Sequence, residues 1–206
     1  MFFSPRKRSR RSSVGIEQLE VRIVPTITVH QTGTHLFIDG DSNGVKANDN
    51  VTISMTADGG QGDIDVAHDG QTEPFTGVDD ITVSTGKGKD TVTVDGIDIM
   101  GTLIINTGTG QDTVTVKNTS MDVRRIGGDL VVDTGTASDK VTLDNIDVTG
   151  KTNVKLGDHK DKLTVRNSTF DGDFFADGGN HSDKYVDDGG NTFTGSKVIK
   201  HFQHVS

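Results

Sequence analysis

Short runs of alternating apolar and polar residues recur along the chain, each directly after an aspartate. In TGTGQDTVTVKN (residues 107–118), Val114 and Val116 flank Thr115 and follow Asp112. Such period-two alternation predicts a short strand with one buried face. The same phrase gives the spaced pairs Val92/Val94, Val114/Val116, Val141/Leu143, Leu163/Val165 and Tyr185/Asp187.

Two further alternating segments separate each phrase from the next. One contains the pairs Ile97/Ile99, Met121/Val123, Ile146/Val148 and Ser168/Phe170. The other contains Ile81/Val83, Leu103/Ile105, Leu130/Val132, Thr152/Val154 and Phe174/Ala176. Each unit is therefore predicted to hold three short strands joined by Gly, Asn and Asp turns, and no unit shows the apolar stripe of a helix.

The aspartate that closes each phrase defines a repeat. Its copies are Asp63, Asp90, Asp112, Asp139, Asp161 and Asp183, at spacings of 27, 22, 27, 22 and 22 residues. A period in this range indicates a solenoid, and three short strands in about 22 residues predict an all-β chain folded as a single right-handed parallel β-helix. Each strand would pair with its copy in the next of about six to seven coils.

The two longer intervals predict corner loops near residues 71–75 and 124–128, each with about five extra residues. We expect a basic, disordered sorting or leader segment at residues 1–25 and irregular N-terminal coils or a cap at residues 26–62. The coil repeats would then occupy residues 63–195, and residues 196–206 would form the C-terminal cap that covers the open strand edges.

The composition agrees with many tight turns. The chain has 206 residues, of which 26 are glycine and 3 are proline, and 31% are hydrophobic. Glycine reaches positive φ at little cost, as turns between short strands require. The chain has no cysteine, which excludes disulfides and thiolate metal sites.

The charge is distributed unevenly along the chain. Residues 1–25 carry a net charge of +4 within a chain of net charge −9, so residues 26–206 carry −13. An acidic body repels phosphates, and we therefore expect no nucleic-acid partner. No run of 18 apolar residues exists, so no membrane span is predicted.

The N-terminal residues IEQLEVRIVP contain Leu19, Glu20, Arg22 and Pro25 after an arginine-rich stretch. This pattern resembles the LE-x-R type segment of planctomycete exported and surface proteins, with Val21 where Asp or Pro is usual. Residues 50–195 resemble the TG-x-G-x-D-T-V-T repeats of the same proteins. The resemblance implies export to the cell envelope or the extracellular space, with a cell-envelope polysaccharide or another surface protein as partner.

The phrase G-x-G-x-D also resembles the calcium-binding repeats of RTX proteins, which implies calcium ligation by Asp90 and Asp112. The resemblance is partial, because the phrase occurs once per coil, the paired glycines are lost in TGTASD and LGDHKD, and lysine follows the aspartate at Lys140, Lys162 and Lys184. In the alternative interpretation, each aspartate only accepts backbone N–H groups of its turn. No other cofactor is indicated.

Parallel β-helices also host polysaccharide-degrading enzymes, for which the candidates here are Asp79/Asp80, Asp187/Asp188, His159, His181 and the pair Arg124–Arg125. His159 and His181 occupy equivalent places two residues before the repeated aspartate, where a stack would make them candidate metal ligands. The alternative interpretation, which we favour, is that they are corner residues that replace glycine. Adjacent strand residues point to opposite faces, which hinders cooperation within each carboxylate pair. We therefore expect a non-catalytic structural or adhesive protein, with a calcium-stabilised module and a polysaccharide-binding or polysaccharide-degrading protein as the alternatives. Arg124 and Arg125, in the least repetitive corner, are the candidate partner-binding residues.

Overall fold

The computed structural model describes residues 27–41 and 46–206, so the sorting segment expected at residues 1–25 lies outside the described residues. Within them the chain is all-β: strands form three sheets, and none of these residues forms a helix. None therefore belongs to a helix long and apolar enough to cross a membrane. The all-β class expected from the alternation is confirmed.

The three sheets are named by their number of strands, and the strands are numbered in chain order. The eight-stranded sheet contains β1 (Thr28–Thr32), β2 (His35–Asp39), β6 (Asp80–Ser84), β8 (Leu103–Asn106), β11 (Leu130–Asp133), β14 (Thr152–Lys155), β17 (Phe174–Asp177) and β20 (Lys197–Lys200). The four-stranded sheet contains β10 (Arg125–Ile126), β13 (Asp147–Val148), β16 (Thr169–Phe170) and β19 (Thr192–Phe193). The nine-stranded sheet contains β3 (Asn50–Met55), β4 (Ile64–His68), β5 (Gln71–Phe75), β7 (Thr91–Asp95), β9 (Thr113–Lys117), β12 (Lys140–Asp144), β15 (Lys162–Arg166), β18 (Asp183–Asp187) and β21 (Phe202–Val205).

From β8 onward the chain enters the eight-stranded, nine-stranded and four-stranded sheets in that fixed order and then repeats the order. Strands of successive repeats pair in parallel, so that Val114 lies beside Val141 and Val141 beside Leu163. The expected parallel pairing of each strand with its copy is thus confirmed for the long sheets. β20 and β21, within residues 196–206, extend the same parallel pairing from β17 and β18.

The core consists of the inward residues of these strands. Val92, Val114, Leu103 and Leu130 are among the many aliphatic side chains that are essentially inaccessible to solvent. Burial of one such side chain contributes about 1.5–3 kcal/mol relative to exposure. Repetition of the alternating pattern therefore produces continuous apolar rows along the stacking direction.

One predicted corner loop is wrong. Residues Gln71–Phe75 form strand β5, which pairs antiparallel with β4, and β4 pairs antiparallel with β3. The insertion thus extends one end of the nine-stranded sheet as a β-hairpin, and its turn contains Asp69 and Gly70, both at positive φ. The hairpin satisfies the backbone groups of the extra residues within a sheet, which a corner loop would leave to solvent.

The position of the second insertion also differs from the prediction. Met121 and Val123 were expected to be strand residues, but their side chains are 105% and 77% exposed. Arg125 and Ile126 form the strand β10 in their place, with Ile126 buried beside Val148. The extra residues therefore lie between Asn118 and Arg125, one turn earlier than the 124–128 segment expected to hold them.

Candidate functional site

The repeated aspartates form a hydrogen-bonded row inside the corner between the eight-stranded and nine-stranded sheets. We call Asp49, Asp90, Asp112, Asp139, Asp161 and Asp183 the aspartate ladder. In each step, Oδ1 of one aspartate accepts the backbone N–H of the preceding member of the ladder. The N···O distances are 2.9, 2.8, 2.8, 2.7 and 2.8 Å from the Asp49–Asp90 step to the Asp161–Asp183 step. The carboxylates therefore connect successive repeats, and this differs from the local turn bonds of the alternative interpretation.

The ends of the ladder differ from the sequence prediction. Asp63, taken as the first copy, lies in the turn before β4, where its Oδ2 accepts the N–H of Gly60 at 2.8 Å. Asp49 occupies the equivalent position, 41 residues before Asp90, because the β4–β5 hairpin lies between them. At the other end, Oε1 of Gln203 accepts the N–H of Asp183 at 2.6 Å.

Burial dominates the electrostatics of the ladder. The side chains of Asp90, Asp112, Asp139 and Asp183 are at most 1% exposed and that of Asp161 is 4% exposed. Burial raises the pKa of Asp139 and of Asp161 to about 7, although the N–H donor of the neighbouring coil opposes the rise. Burial also raises the pKa of Asp112 and Asp183 above the ordinary range. Like charges on adjacent ladder members add to the rise for Asp112, Asp139 and Asp161.

A second buried polar row accompanies the ladder. The hydroxyl groups of Thr85, Thr107 and Thr134 donate to the backbone carbonyls of Thr107, Thr134 and Leu156 at 3.3, 3.4 and 2.9 Å. These threonines are fully buried. The hydroxyl groups of Thr107 and Thr134 also favour the ionised carboxylates of Asp112 and Asp139, whose pKa values they lower against the larger effect of burial. The first residue of the TG-x-G-x-D phrase therefore stabilises the stack.

The predicted calcium ligands Asp90 and Asp112 belong to this ladder. Each already uses Oδ1 to accept an N–H group, and the side chains are buried. Calcium requires six to eight oxygen ligands at about 2.3–2.6 Å. The residues described by the structure contain no group of three or more His, Asp or Glu side chains arranged to hold a metal ion. Calcium binding remains a prediction from the resemblance, and thermal unfolding can test it.

We expect the unfolding midpoint of the full chain, followed by far-UV circular dichroism, to be the same within about 2 °C in EDTA and in millimolar Ca²⁺. A ligand that binds only the folded state at 100 times its Kd adds about 2.7 kcal/mol, which corresponds to a rise of about 5–10 °C for a protein of this size. A calcium-dependent rise of that size would contradict our expectation. It would assign the ladder aspartates to ion binding.

The two histidines considered as metal ligands stack at the corner that precedes the ladder. The rings of His159 and His181 are 5.2 Å apart at an interplanar angle of 14°, and Nδ1 of His181 accepts the N–H of His159 at 3.1 Å. Parallel rings at this separation do not direct their nitrogens at one point. Both residues have φ of 88°, and Ala137 at the equivalent corner has φ of 89°. They occupy the place of Gly88 and Gly110, as expected for corner residues that replace glycine.

The structure separates the two predicted partner-binding arginines. Arg124 is partly buried: its Nη1 lies 2.9 Å from Sδ of Met55 and its Nη2 lies 3.2 Å from a carboxylate oxygen of Asp122. Arg125 is half exposed, and its Nη2 lies 3.4 Å from a carboxylate oxygen of Asp147 in the neighbouring coil. A cleft of about 210 Å³ beside Arg124 is also lined by Asn118, Asn145 and the exposed loop residues. A role in partner binding remains a prediction for both arginines.

The adjacent carboxylate pairs make structural contacts. Oδ1 of Asp80 accepts the N–H of Thr102 at 2.8 Å. Asp187 binds Nζ of Lys197 at 2.8 Å, and Asp188 lies 3.9 Å from Nη1 of Arg166. These contacts connect neighbouring repeats or the C-terminal end, so Asp80, Asp187 and Asp188 each have a structural partner.

An exposed basic surface, which we call the lysine strip, follows the outer face of the nine-stranded sheet and the bends that precede its strands. It contains Lys140, Lys162 and Lys184 within strands β12, β15 and β18, and Lys89 and Lys160 in the bends before β7 and β15. Lys140, Lys162 and Lys184 are directly adjacent in register, at the position that Thr91 and Thr113 occupy in earlier coils. Lys89, Lys140, Lys160 and Lys162 line a groove of about 270 Å³. The regular spacing of Lys140, Lys162 and Lys184 after the repeated aspartates already indicates an aligned row in the sequence.

Other features were also missed at the sequence level. Asp49 and Gln203 complete the ladder, and Asn118 and Asn145 form a corner row in which the Asn145 amide donates to the Asn118 carbonyl at 2.7 Å. The lead-in NDNV was the available signal for Asp49, since it places an aspartate two residues before Val51. No comparable signal marks Gln203. In comparisons with known proteins, no family model, curated protein or solved structure matches this chain.

Proposed function

We propose that the chain is a non-catalytic structural or adhesive protein of the cell envelope or extracellular space, built as a right-handed parallel β-helix with three short strands per coil. The fixed order in which the chain enters the three sheets supports the coiled path. The parallel register, with offsets of 22 and 27 residues, supports a regular stack of coils. Right-handedness follows from the general preference of parallel β connections.

The observation that supports the structural role is that residues of the repeated phrase make contacts between successive repeats. Its threonine donates to the next coil and its aspartate accepts from the preceding coil. Its first glycine permits close approach of the backbones, as at Gly108 and Gly135. The repeated polar residues thus contribute to the stack itself, and a stack of this kind presents long regular rows of side chains to a partner.

Export is the part of the proposal that depends on the N-terminal segment. Its support is the resemblance of Leu19, Glu20, Arg22 and Pro25 to the LE-x-R type segment of planctomycete exported proteins. A cell-envelope polysaccharide or another surface protein is the partner class that this location implies.

Surface location can be tested with antibodies raised against the full chain. We expect labelling of intact cells of the source organism at the level seen after permeabilisation, because an exported envelope protein is accessible from outside. An antibody to a cytoplasmic marker should label only the permeabilised cells. Labelling that requires permeabilisation would overturn the proposed export.

The non-catalytic assignment has its own test. Incubation of the full chain with a panel of neutral and acidic polysaccharides should release no reducing ends and no unsaturated products above a heat-denatured control. Release of either product would replace the structural role with a polysaccharide-degrading activity.

A further inference from the structure

We infer that the lysine strip is the docking surface for a linear acidic polysaccharide, which specifies the partner class of the proposed adhesive role and rests on that role. The strip is an unusual feature of an acidic body, since residues 26–206 carry a net charge of −13. Three of its lysines lie in adjacent parallel strands, about 4.8 Å apart. Like charges at this spacing repel one another, so the arrangement favours an anionic partner that neutralises them.

The lysines of the strip are available to such a partner. All five are exposed, and among the described residues none of them forms an ion pair. Lys117 and Lys197, by contrast, are held by Asp95 and Asp187 at 3.3 and 2.8 Å. Asp112, Asp139 and Asp161 also line the groove, but their carboxylates are buried and accept backbone N–H groups within the ladder. The charge presented outward is therefore that of the lysines.

Another column on the same face shows the difference between a paired and an unpaired row. At the ends of strands β7, β9, β12 and β15, acidic and basic residues alternate: Lys117 pairs with Asp95, and Arg166 binds Asp144 at 2.7 Å. The acidic and basic side chains of that column therefore neutralise one another. The lysine strip has no alternating acidic member, so its positive charge is available to an anionic partner.

The chemistry of the face favours a polysaccharide over a nucleic acid. The outward positions of β7, β9, β12 and β15 carry no aromatic side chain on which a base could stack, whereas such stacking is the usual basis of single-strand binding. Beside the strip, Thr93, Thr115, Thr142 and Thr164 form an adjacent hydroxyl row. Hydroxyl groups next to spaced cations suit a sugar chain with one acidic group per residue, and the acidic body disfavours the denser charge of a nucleic acid.

Isothermal titration of the full chain with polygalacturonate, at low salt and in EDTA to exclude calcium bridging, tests this inference. We expect binding that weakens as salt is added, because the attraction is between exposed charges. Methyl-esterified polygalacturonate has the same backbone with its carboxylates capped, and it should bind at least about tenfold more weakly, since several exposed charge pairs are lost.

A matched pair of double variants locates the surface. Lys140→Thr/Lys162→Thr introduces the residue that Thr91 and Thr113 place at the same position, and it should weaken binding about tenfold. Lys151→Thr/Lys155→Thr removes the same charge from exposed residues of another face and should leave affinity unchanged within about twofold. Unfolding midpoints establish that both variants fold. Lys140→Gln/Lys162→Gln provides a second variant if the threonine variant of these two lysines does not fold.

Three results would overturn the inference: no binding of polygalacturonate, equal binding of the esterified polymer, or equal weakening by the two double variants. Tighter binding of a thymidine oligonucleotide than of polygalacturonate would also overturn it and would point to a nucleic-acid partner. Surface labelling of intact cells does not depend on this polymer, so failure of the lysine strip and failure of the proposed adhesive location are distinguishable.

Discussion

Replacing Gly135 with alanine should destabilise the protein by more than about 4 kcal/mol, because the new Cβ would overlap the carbonyl oxygen of Gly108 in the preceding repeat. That oxygen accepts the N–H of Thr136 at 3.0 Å, so it cannot move away without losing a coil-to-coil hydrogen bond. We expect an unfolding midpoint at least about 10 °C lower than that of the wild type, or failure to obtain soluble folded protein. Thermal unfolding by circular dichroism measures the change.

Gly70→Ala is the matched control for this substitution. Gly70 also has positive φ, at 75° against 83° for Gly135, but a Cβ there meets no atom within 4 Å. Its cost should be the backbone term alone, about 1–2 kcal/mol. The difference between the two variants therefore measures the close approach of successive coils. Equal midpoints for Gly135→Ala and Gly70→Ala would show that this approach does not limit the stack.

The two glycine positions of the repeated phrase differ in backbone conformation and in the space available for a side chain. The sequence shows this difference in part. The first is glycine in every repeat from Gly86 to Gly179, always at positive φ. From Gly108 onward it lies close to the backbone of the glycine in the preceding repeat, whereas Gly86 lies against the side chain of Asp41. The second changes from Gly88 and Gly110, at φ of 150° and 140°, to Ala137, His159 and His181 at 88–89°. The later repeats thus adopt a turn conformation that tolerates a side chain, which explains how the phrase loses one glycine while the strand pairing persists.

The strands of the repeats were predictable because alternation and register require only the sequence. Val114, Val141 and Leu163 are inward because a buried face selects one parity along each strand. The β4–β5 hairpin was not predictable by the same means. Asp63 lies 27 residues before Asp90, which matches the other long interval by coincidence and concealed the true equivalence of Asp49.

The direction of the ladder hydrogen bonds was also not predictable from the sequence. Spacing placed the aspartates in one row, but an aspartate at a turn can accept N–H groups from its own turn or from a neighbouring coil. In the structure, Asp112 and Asp139 accept N–H groups from the preceding repeat. The loop with Met121 and Val123 was predicted to be a strand for a related reason. Two apolar residues at a spacing of two match the pattern of a strand even where both are exposed to solvent.

The protein should be more stable at pH 5 than at pH 8. The pKa values of Asp139 and Asp161 rise from an ordinary value of 3.8 to about 7 in the folded protein because the carboxyls are buried. Between these values the folded state binds more protons than the unfolded state, so the free energy of unfolding falls as the pH rises toward about 7 and then levels off. Allowing for partial solvent screening, the two carboxyls should change stability by about 2–4 kcal/mol, which corresponds to an unfolding midpoint roughly 5–15 °C higher at pH 5.

Other shifted carboxyls titrate outside this window. Burial of Asp177 and Asp187 is outweighed by hydrogen bonds from His201 and from Lys197 and Asn191, which lower their pKa values. The stability they contribute is lost only as the pH falls below about 4, through their folded pKa values. A comparison of pH 5 with pH 8 therefore isolates the ladder from these two groups.

The double variant Asp139→Asn/Asp161→Asn tests the assignment of the pH effect to the ladder. Asparagine keeps a side-chain oxygen that can accept the N–H of Asp112 or Asp139, and it removes the charge whose burial is unfavourable at pH 8. Its midpoint should change between pH 5 and pH 8 by less than half as much as that of the wild type. A wild-type midpoint that rises with pH, or an equal change in the variant, would mean that the buried carboxylates are stabilised as anions. The ladder would then be a charged row that is compensated in the fold, and the cost of burial would have to be offset by the N–H groups and threonine hydroxyls that surround it.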